Sequence, residues 1–185
     1  MGKHYIRFDE IEDVLTSIDL LAHVAPLVKS SPSQWKWIII GAQNGLQSAM
    51  VSVLGGTSGI NVLNEKSRRL VLAWHEKRNG NDPYPSERLA EFDVLLERCR
   101  KAGFLDLREV EAKDLFRLHR ELRNTFAHFA PMSWSIEKAG LPRIVSTALN
   151  CVEVLMSKDE VRRKMSGNRI RRLARGIERT RVSLK

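Results

Sequence analysis

The sequence predicts an all-α protein built as an up-down helical bundle. Apolar residues recur at helical spacing in nearly every segment of the 185-residue chain, the period that places them on one face of a helix. No stretch sustains the apolar–polar alternation of a half-buried strand. Short breaks rich in Gly, Pro and Asn separate the periodic runs, and connections that short favour antiparallel neighbours.

Asp9 predicts the cap of a first helix carrying Ile11, Val14, Leu15, Ile18 and Leu21, bent or stopped near Pro26. Ser31-Pro32-Ser33-Gln34 has the form of a capping box with proline at the first helical position. It opens a long apolar helix through Trp37, Ile40, Leu46, Met50 and Leu54 that Gly55-Gly56 ends, an antiparallel neighbour of the first. A third helix over 61–77 carries Val62, Leu63, Leu70, Val71 and Trp74, and 79–85 is a loop. Ser86 restarts a fourth helix through Leu89, Phe92, Leu95 and Leu96 to Gly103.

The fifth helix, over 109–129, presents Leu115, Leu118, Leu122, Phe126 and Phe129 on one face, and Pro131 closes it. A sixth covers 144–157 through Val145, Leu149, Val152 and Leu155. Gly167-Asn168 separates a short piece over 161–165 from a last helix with Ile170, Leu173, Ala174 and Ile177.

The charge is unevenly placed. Residues 161–185 hold ten basic side chains and one acid, Glu178, so they carry the whole net charge of +9. Residues 1–160 balance, with 21 basic against 21 acidic side chains. The chain therefore divides into a neutral helical bundle over 1–160 and a basic amphipathic extension over 161–185. Such a cationic segment can track a phosphate backbone, which makes Arg162, Arg163, Lys164, Arg169, Arg171, Arg172, Arg175 and Arg179 the candidate nucleic-acid contacts. The same pattern also fits a helix that packs its apolar stripe on the body and leaves its arginines in solvent.

No apolar run reaches the roughly 20 residues a membrane-spanning helix needs. The first residues lack the apolar core of a signal segment, and Ile6 departs from the myristoylation pattern. Cys99 and Cys151 form no Cys-x-x-Cys pair, so neither a disulfide framework nor a zinc signature is expected, and a reducing cytoplasm is the expected setting. His4, His23 and His119 have no metal-ligand spacing. Trp35, Trp37, Trp74 and Trp134 are expected in the core or at a dimer interface.

Chemistry concentrates in Arg123-Asn124-Thr125-Phe126-Ala127-His128. Arginine presents a permanently charged planar fork that matches phosphate oxygens, and histidine exchanges protons near neutral pH. Together they suit phosphodiester cleavage without a metal or other cofactor. On an ideal helix Arg123 and His128 differ by about 140° around the axis, whereas Asn124 and His128 share a face. Asn124 is thus placed to hydrogen-bond His128, and for Arg123 and His128 to converge either the helix distorts before Pro131 or each histidine works with an arginine of a second protomer. A weaker echo stands at Arg68, Arg69 and His75, where a solvated basic edge beside a packed histidine is the simpler reading.

The octapeptide Leu122-Arg123-Asn124-Thr125-Phe126-Ala127-His128-Phe129, set in an all-α chain, resembles the HEPN superfamily of helical-bundle proteins from toxin-antitoxin, abortive-infection and CRISPR-associated systems. The resemblance implies a metal-independent endoribonuclease in a toxin, defence or stress context, with Arg123 and His128 as the catalytic pair and Asn124 in support. It further implies RNA as substrate, a homodimer with the site where the protomers meet, and an antitoxin or other regulatory protein as a partner. Ala130 stands where one toxin branch has a modifiable tyrosine, so that mode of regulation is not expected. Some members of the family have lost cleavage and serve as modules binding nucleic acid or protein, the alternative reading of this chain.

Overall fold

The computed structural model describes residues 5–77, 82–128 and 133–185. Among them every extended regular element is a helix: α1 (Glu10–Val24), α2 (Trp35–Leu54), α3 (Glu65–Lys77), α4 (Phe92–Lys101), α5 (Glu109–Phe116), α6 (Asn124–Ala127), α7 (Leu141–Met156), α8 (Asp159–Arg162) and α9 (Gly167–Leu184). The only β feature among them is an isolated antiparallel bridge between Leu63 and Leu89. One contiguous apolar core runs through α1, α2, α4, α5, α7 and α9.

Helix α1 starts where Asp9 predicts, its Oδ1 accepting from the Glu12 amide at 2.6 Å. Its apolar face packs along α2, which approaches closely because Gly41 and Gly45 lack a Cβ. An added Cβ would stand 3.1 Å from Leu21 Cδ2 at the first and 3.3 Å from Ser17 Cβ at the second. The predicted capping box ahead of α2 does not form. Ser31 Oγ lies 3.1 Å from Ser33 Oγ instead, and Pro32–Gln34 wind as a 3-10 turn that leads into α2.

Helices α3 and α4 both start later than the periodicity suggests, for one reason. The segment before α3 and the segment before α4 pair with each other, Asn64 donating to the Arg88 carbonyl at 2.9 Å and Ala90 to the Val62 carbonyl at 2.8 Å. Ser67 Oγ adds a second tie, donating to Ser86 O and accepting from Arg88 N. Backbone groups engaged across 20-odd residues of sequence are withdrawn from the local helix, so α3 begins at Glu65, capped by Asn64, and α4 at Phe92. Helix α4 ends as expected at Gly103, whose φ of +70° suits a residue without a Cβ, and Phe104 N–H reaches back to Cys99 O at 2.9 Å.

The fifth predicted helix is less regular than its pattern implies. After α5 the chain winds as a π-helix over Arg117–Arg123 before resuming as α6, and the Asn124 amide reaches five residues back to His119 O. Helical geometry ends at His128, with φ −122° and ψ 54°. Phe129, Ala130 and Pro131 lie outside the described residues. Helix α7 opens at Leu141, three residues before Ile144, with Pro142 in its first turn. It is locked to α5 by buried Asp114, whose carboxylate accepts from Arg143 Nη2 at 2.9 Å and from Thr147 Oγ1 at 3.1 Å.

The basic extension is part of the packed body. In α9, Ile177 and Leu173 enter the core against α1, while Ala174 is exposed. Trp35 is buried, Trp74 and Trp134 are half-buried, and Trp37, expected in the core or an interface, is 47% exposed.

Candidate phosphate-binding and RNA-contact site

The Arg-Asn-x-x-x-His motif straddles a change in helical winding: Arg123 closes the π-helical stretch and Asn124 opens α6. A π-turn inserts one extra residue into the helix and re-aims the side chains on its C-terminal side, and such turns concentrate at functional sites. The half-buried Arg123 donates from Nη1 to Asn124 Oδ1 at 3.1 Å. Two carboxylates nearby in sequence or on α4 pair with other arginines. Glu121 sits 3.5 Å from Arg117, and Asp93 accepts from Arg120 Nε at 2.7 Å. Among the described residues Arg123 forms no ion pair.

His128 is exposed at the end of α6, its backbone N–H held by Asn124 O at 2.9 Å. Its imidazole makes no hydrogen bond among the described residues. The expected bond from Asn124 to His128 is not formed; the amide oxygen accepts from the adjacent guanidinium instead. Arg123 and His128 do not bond to each other either, in keeping with their separation around the helix.

One residue at this locus escaped the sequence reading. His119, a turn before Arg123 in the π-helical stretch, stacks on Phe92 with ring centroids 4.5 Å apart and planes 15° from parallel. Its Nδ1 is buried without a hydrogen-bond partner. Burial, reinforced by the Arg120 and Arg123 charges, lowers its pKa below 6.5 against the opposing pull of Asp93 and Glu91. The folded protein therefore prefers His119 neutral, and its contribution to stability is complete above the unfolded value and lost as pH falls toward the folded one. Urea denaturation from pH 7 to 5 should show this decline, and His119→Leu should flatten it. An equally steep decline in the variant would show that other groups cause it. Nothing in the spacing of His119 marks it, since the signal lies in a stack with a residue on another helix.

The cations of the extension fall into two sets. Arg169 bonds Asp9 and Glu12, with Nη2 3.1 Å from Glu12 Oε2, and Arg172 bonds Glu12 at 2.6 Å and Asp19 at 2.7 Å. Lys164 lies 3.7 Å from Glu10, and Arg181 lies 2.9 Å from Glu153. These side chains fasten the extension to the body. Burial alone would raise the Asp9 carboxyl, but the Glu12 amide and Arg169 outweigh it and hold the group below its usual range. The second set, Arg162, Arg163, Arg171, Arg175 and Arg179, is exposed and forms no ion pair among the described residues. Arg171, Arg175 and Arg179 stand four residues apart on α9, which lines them along the solvent face at about 6 Å intervals.

At the weaker motif Arg68 and Arg69 form the solvated basic edge, whereas His75 is exposed rather than packed. Arg69 Nε donates to Glu65 at 2.9 Å, while His75 rests edge-on against Trp74 with centroids 5.1 Å apart. Cys99 and Cys151 are buried thiols that desolvation pushes up to about 12, which leaves them unreactive at neutral pH. Among the described residues, no cluster of three or more His, Cys, Asp or Glu side chains is arranged to hold a metal, and no helix is long and apolar enough to cross a membrane. No protein-family model, curated protein or solved structure matches the chain.

Proposed function

We propose that this protein is a metal-independent endoribonuclease of HEPN type, with Arg123 and His128 as its catalytic pair. The observation that carries the reading is Arg123: a half-buried guanidinium with no carboxylate partner among the described residues, beside an exposed histidine. A partly desolvated charge without a counterion favours an anionic ligand. The likeness of the octapeptide to the HEPN motif supplies the identity of that anion as an RNA phosphodiester.

In the proposed reaction the 2′-oxygen bonds to phosphorus as its proton passes to a base. The P–O5′ bond breaks as the leaving oxygen takes a proton, leaving a 2′,3′-cyclic phosphate and a 5′-hydroxyl. Arg123 grips the phosphate oxygens on which charge accumulates. One imidazole cannot hold both proton roles at once, so a homodimer brings a second His128 to the site. Phe116, 55% exposed on α5 immediately before the π-helical stretch, offers apolar surface for such an interface. A toxin or other defence setting, with a regulatory protein such as an antitoxin, belongs to the same reading.

The exposed stripe on α9 is the proposed RNA track, because its arginines are not engaged by acids, unlike Arg169 and Arg172. Replacing Arg171, Arg175 and Arg179 together with Gln should weaken RNA binding and lower the salt slope of log affinity by about 2 to 3. Filter binding across a salt series measures it, and an unchanged slope would assign the stripe to solvation. Retention of intact RNA in excess chelator, with binding but no cleavage, would select the catalytically silent module.

A further inference from the structure

A cavity of about 520 Å³ opens between the end of α2, the start of α3 and the end of α4, away from the Arg-Asn-x-x-x-His motif in sequence and in the elements that build it. That volume falls within the range of small-molecule sites, roughly 300–1,000 Å³. Val53, Leu54 and Phe104 form its apolar wall, and Arg68, Arg98 and Lys101 line it with positive charge. Among the described residues no carboxylate lines it.

The three cations are held to different degrees. Arg98 is fixed: Nη1 donates to the carbonyls of both Asn61 and Leu63 at 2.8 Å, so the rest of its fork is set without a further entropic cost. Arg68 reaches Glu65 only at 4.0 Å, and that carboxylate already bonds Arg69 at 2.9 Å. Lys101 lies 3.5 Å from Glu97, which it shares with Arg100. Both exposed cations can turn into the cavity while giving up little, since solvent-screened surface ion pairs of this kind add little stability.

We infer that this cavity binds a phosphomonoester with an apolar or aromatic body, its phosphate held by Arg68, Arg98 and Lys101 and its body laid against Phe104 and Leu54. Two guanidinium forks and an ammonium match a dianion with three free oxygens better than they match a single carboxylate. The apolar wall gives such a ligand an advantage over inorganic phosphate that scales with the area covered.

Isothermal titration of the full chain with inorganic phosphate, phenyl phosphate and the four nucleoside monophosphates tests the inference. At least one monoester should bind at least about tenfold more tightly than inorganic phosphate, a difference of about 1.4 kcal/mol. Phe104→Ala should erase that advantage. Arg68→Glu combined with Lys101→Glu, both at exposed positions and checked for unchanged helicity, should weaken the monoester at least tenfold. Arg123→Ala should leave it unmoved. Monoesters that bind no better than inorganic phosphate overturn the inference, as does affinity that survives the charge reversal. Affinity lost with Arg123→Ala instead would move the ligand to the other site and overturn it equally.

Discussion

Arg123→Ala and His128→Ala should each lower RNA cleavage by about 10²–10⁴-fold, the span associated with losing a positioned proton-transfer group or a transition-state charge partner. The fold should survive both. His128 is exposed and bonded only through its backbone, and the Arg123 side chain donates its hydrogen bond to Asn124. A substitution at an exposed position such as His128 usually moves stability by about 0.5 kcal/mol or less, and at half-buried Arg123 it removes one hydrogen bond, about 0.5–1.5 kcal/mol. Activity and helicity are therefore separable, and cleavage by the parent protein should persist in excess chelator. Unaltered cleavage in both variants would remove these residues from the chemistry.

Mixing the two inactive variants distinguishes how the pair is assembled. If each site combines one protomer's arginine with the other's histidine, a mixed dimer of Arg123→Ala and His128→Ala contains one site with both groups intact and one with neither. Activity then reappears on mixing, but only in part, because one of the two His128 side chains that share the proton roles is missing. If both groups act within one chain, every site in the mixture stays defective. The separation of about 140° on an ideal helix favours reappearance, and the π-helical stretch that ends at Arg123 supplies the local departure from ideal winding that either arrangement uses. Asn124→Ala should have a smaller effect, because Asn124 steadies the guanidinium through a single bond.

What the sequence made legible was set by how local the determining contacts are. The cap at Asp9, the stop at Gly103 and the apolar stripe of α1 depend on residues within a few positions, and each is found where expected, whereas the first half of α2 buries Ile38 and Ile39 in place of Trp37 and Ile40. The late starts of α3 and α4 depend on Asn64 and Ala90 pairing across more than twenty residues, which no helical period reveals. The π-turn is similarly hidden, since Leu118 and Leu122 satisfy an α-helical spacing and are buried in either winding. At the site, the sequence located Arg123 and His128 but not that Glu121 and Asp93 would pair with Arg117 and Arg120, leaving Arg123 without a carboxylate. For the basic extension, the sequence admitted both a packed helix and a phosphate track and did not show which of its cations the body answers. Its charge was summed over neighbours in sequence, while the acids that answer Arg169 and Arg172 lie on α1, about 150 residues away.

That distant closure makes Gly176 the position where one substitution should disturb the architecture most. A Cβ there would stand 2.6 Å from Ile18 Cγ2, and Ile18 is 1% exposed, so its methyl has nowhere to go. Helix propensity favours replacing a mid-helix glycine by about 1 kcal/mol, whereas overpacking a filled core costs about 1–3 kcal/mol, so the steric effect wins. Gly176→Ala should be modestly destabilising and Gly176→Leu should cost about 3 kcal/mol or more, releasing α9 from α1. Limited trypsin digestion is a direct readout, because Arg169 and Arg172 become accessible once Glu12 and Asp19 lose them. Ile18→Ala alone should cost about 2–5 kcal/mol by opening a cavity, yet combined with Gly176→Ala it should cost less than the sum, since the added methyl fills part of the space. Strict additivity of the two would mean that α9 does not seat Gly176 against Ile18. With α9 detached, Asp9 also loses Arg169 while keeping the Glu12 amide, so its carboxyl should titrate closer to an ordinary aspartate, and the stability it contributes, normally lost as pH falls through its lowered pKa, should shrink in the acid limb of the denaturation profile.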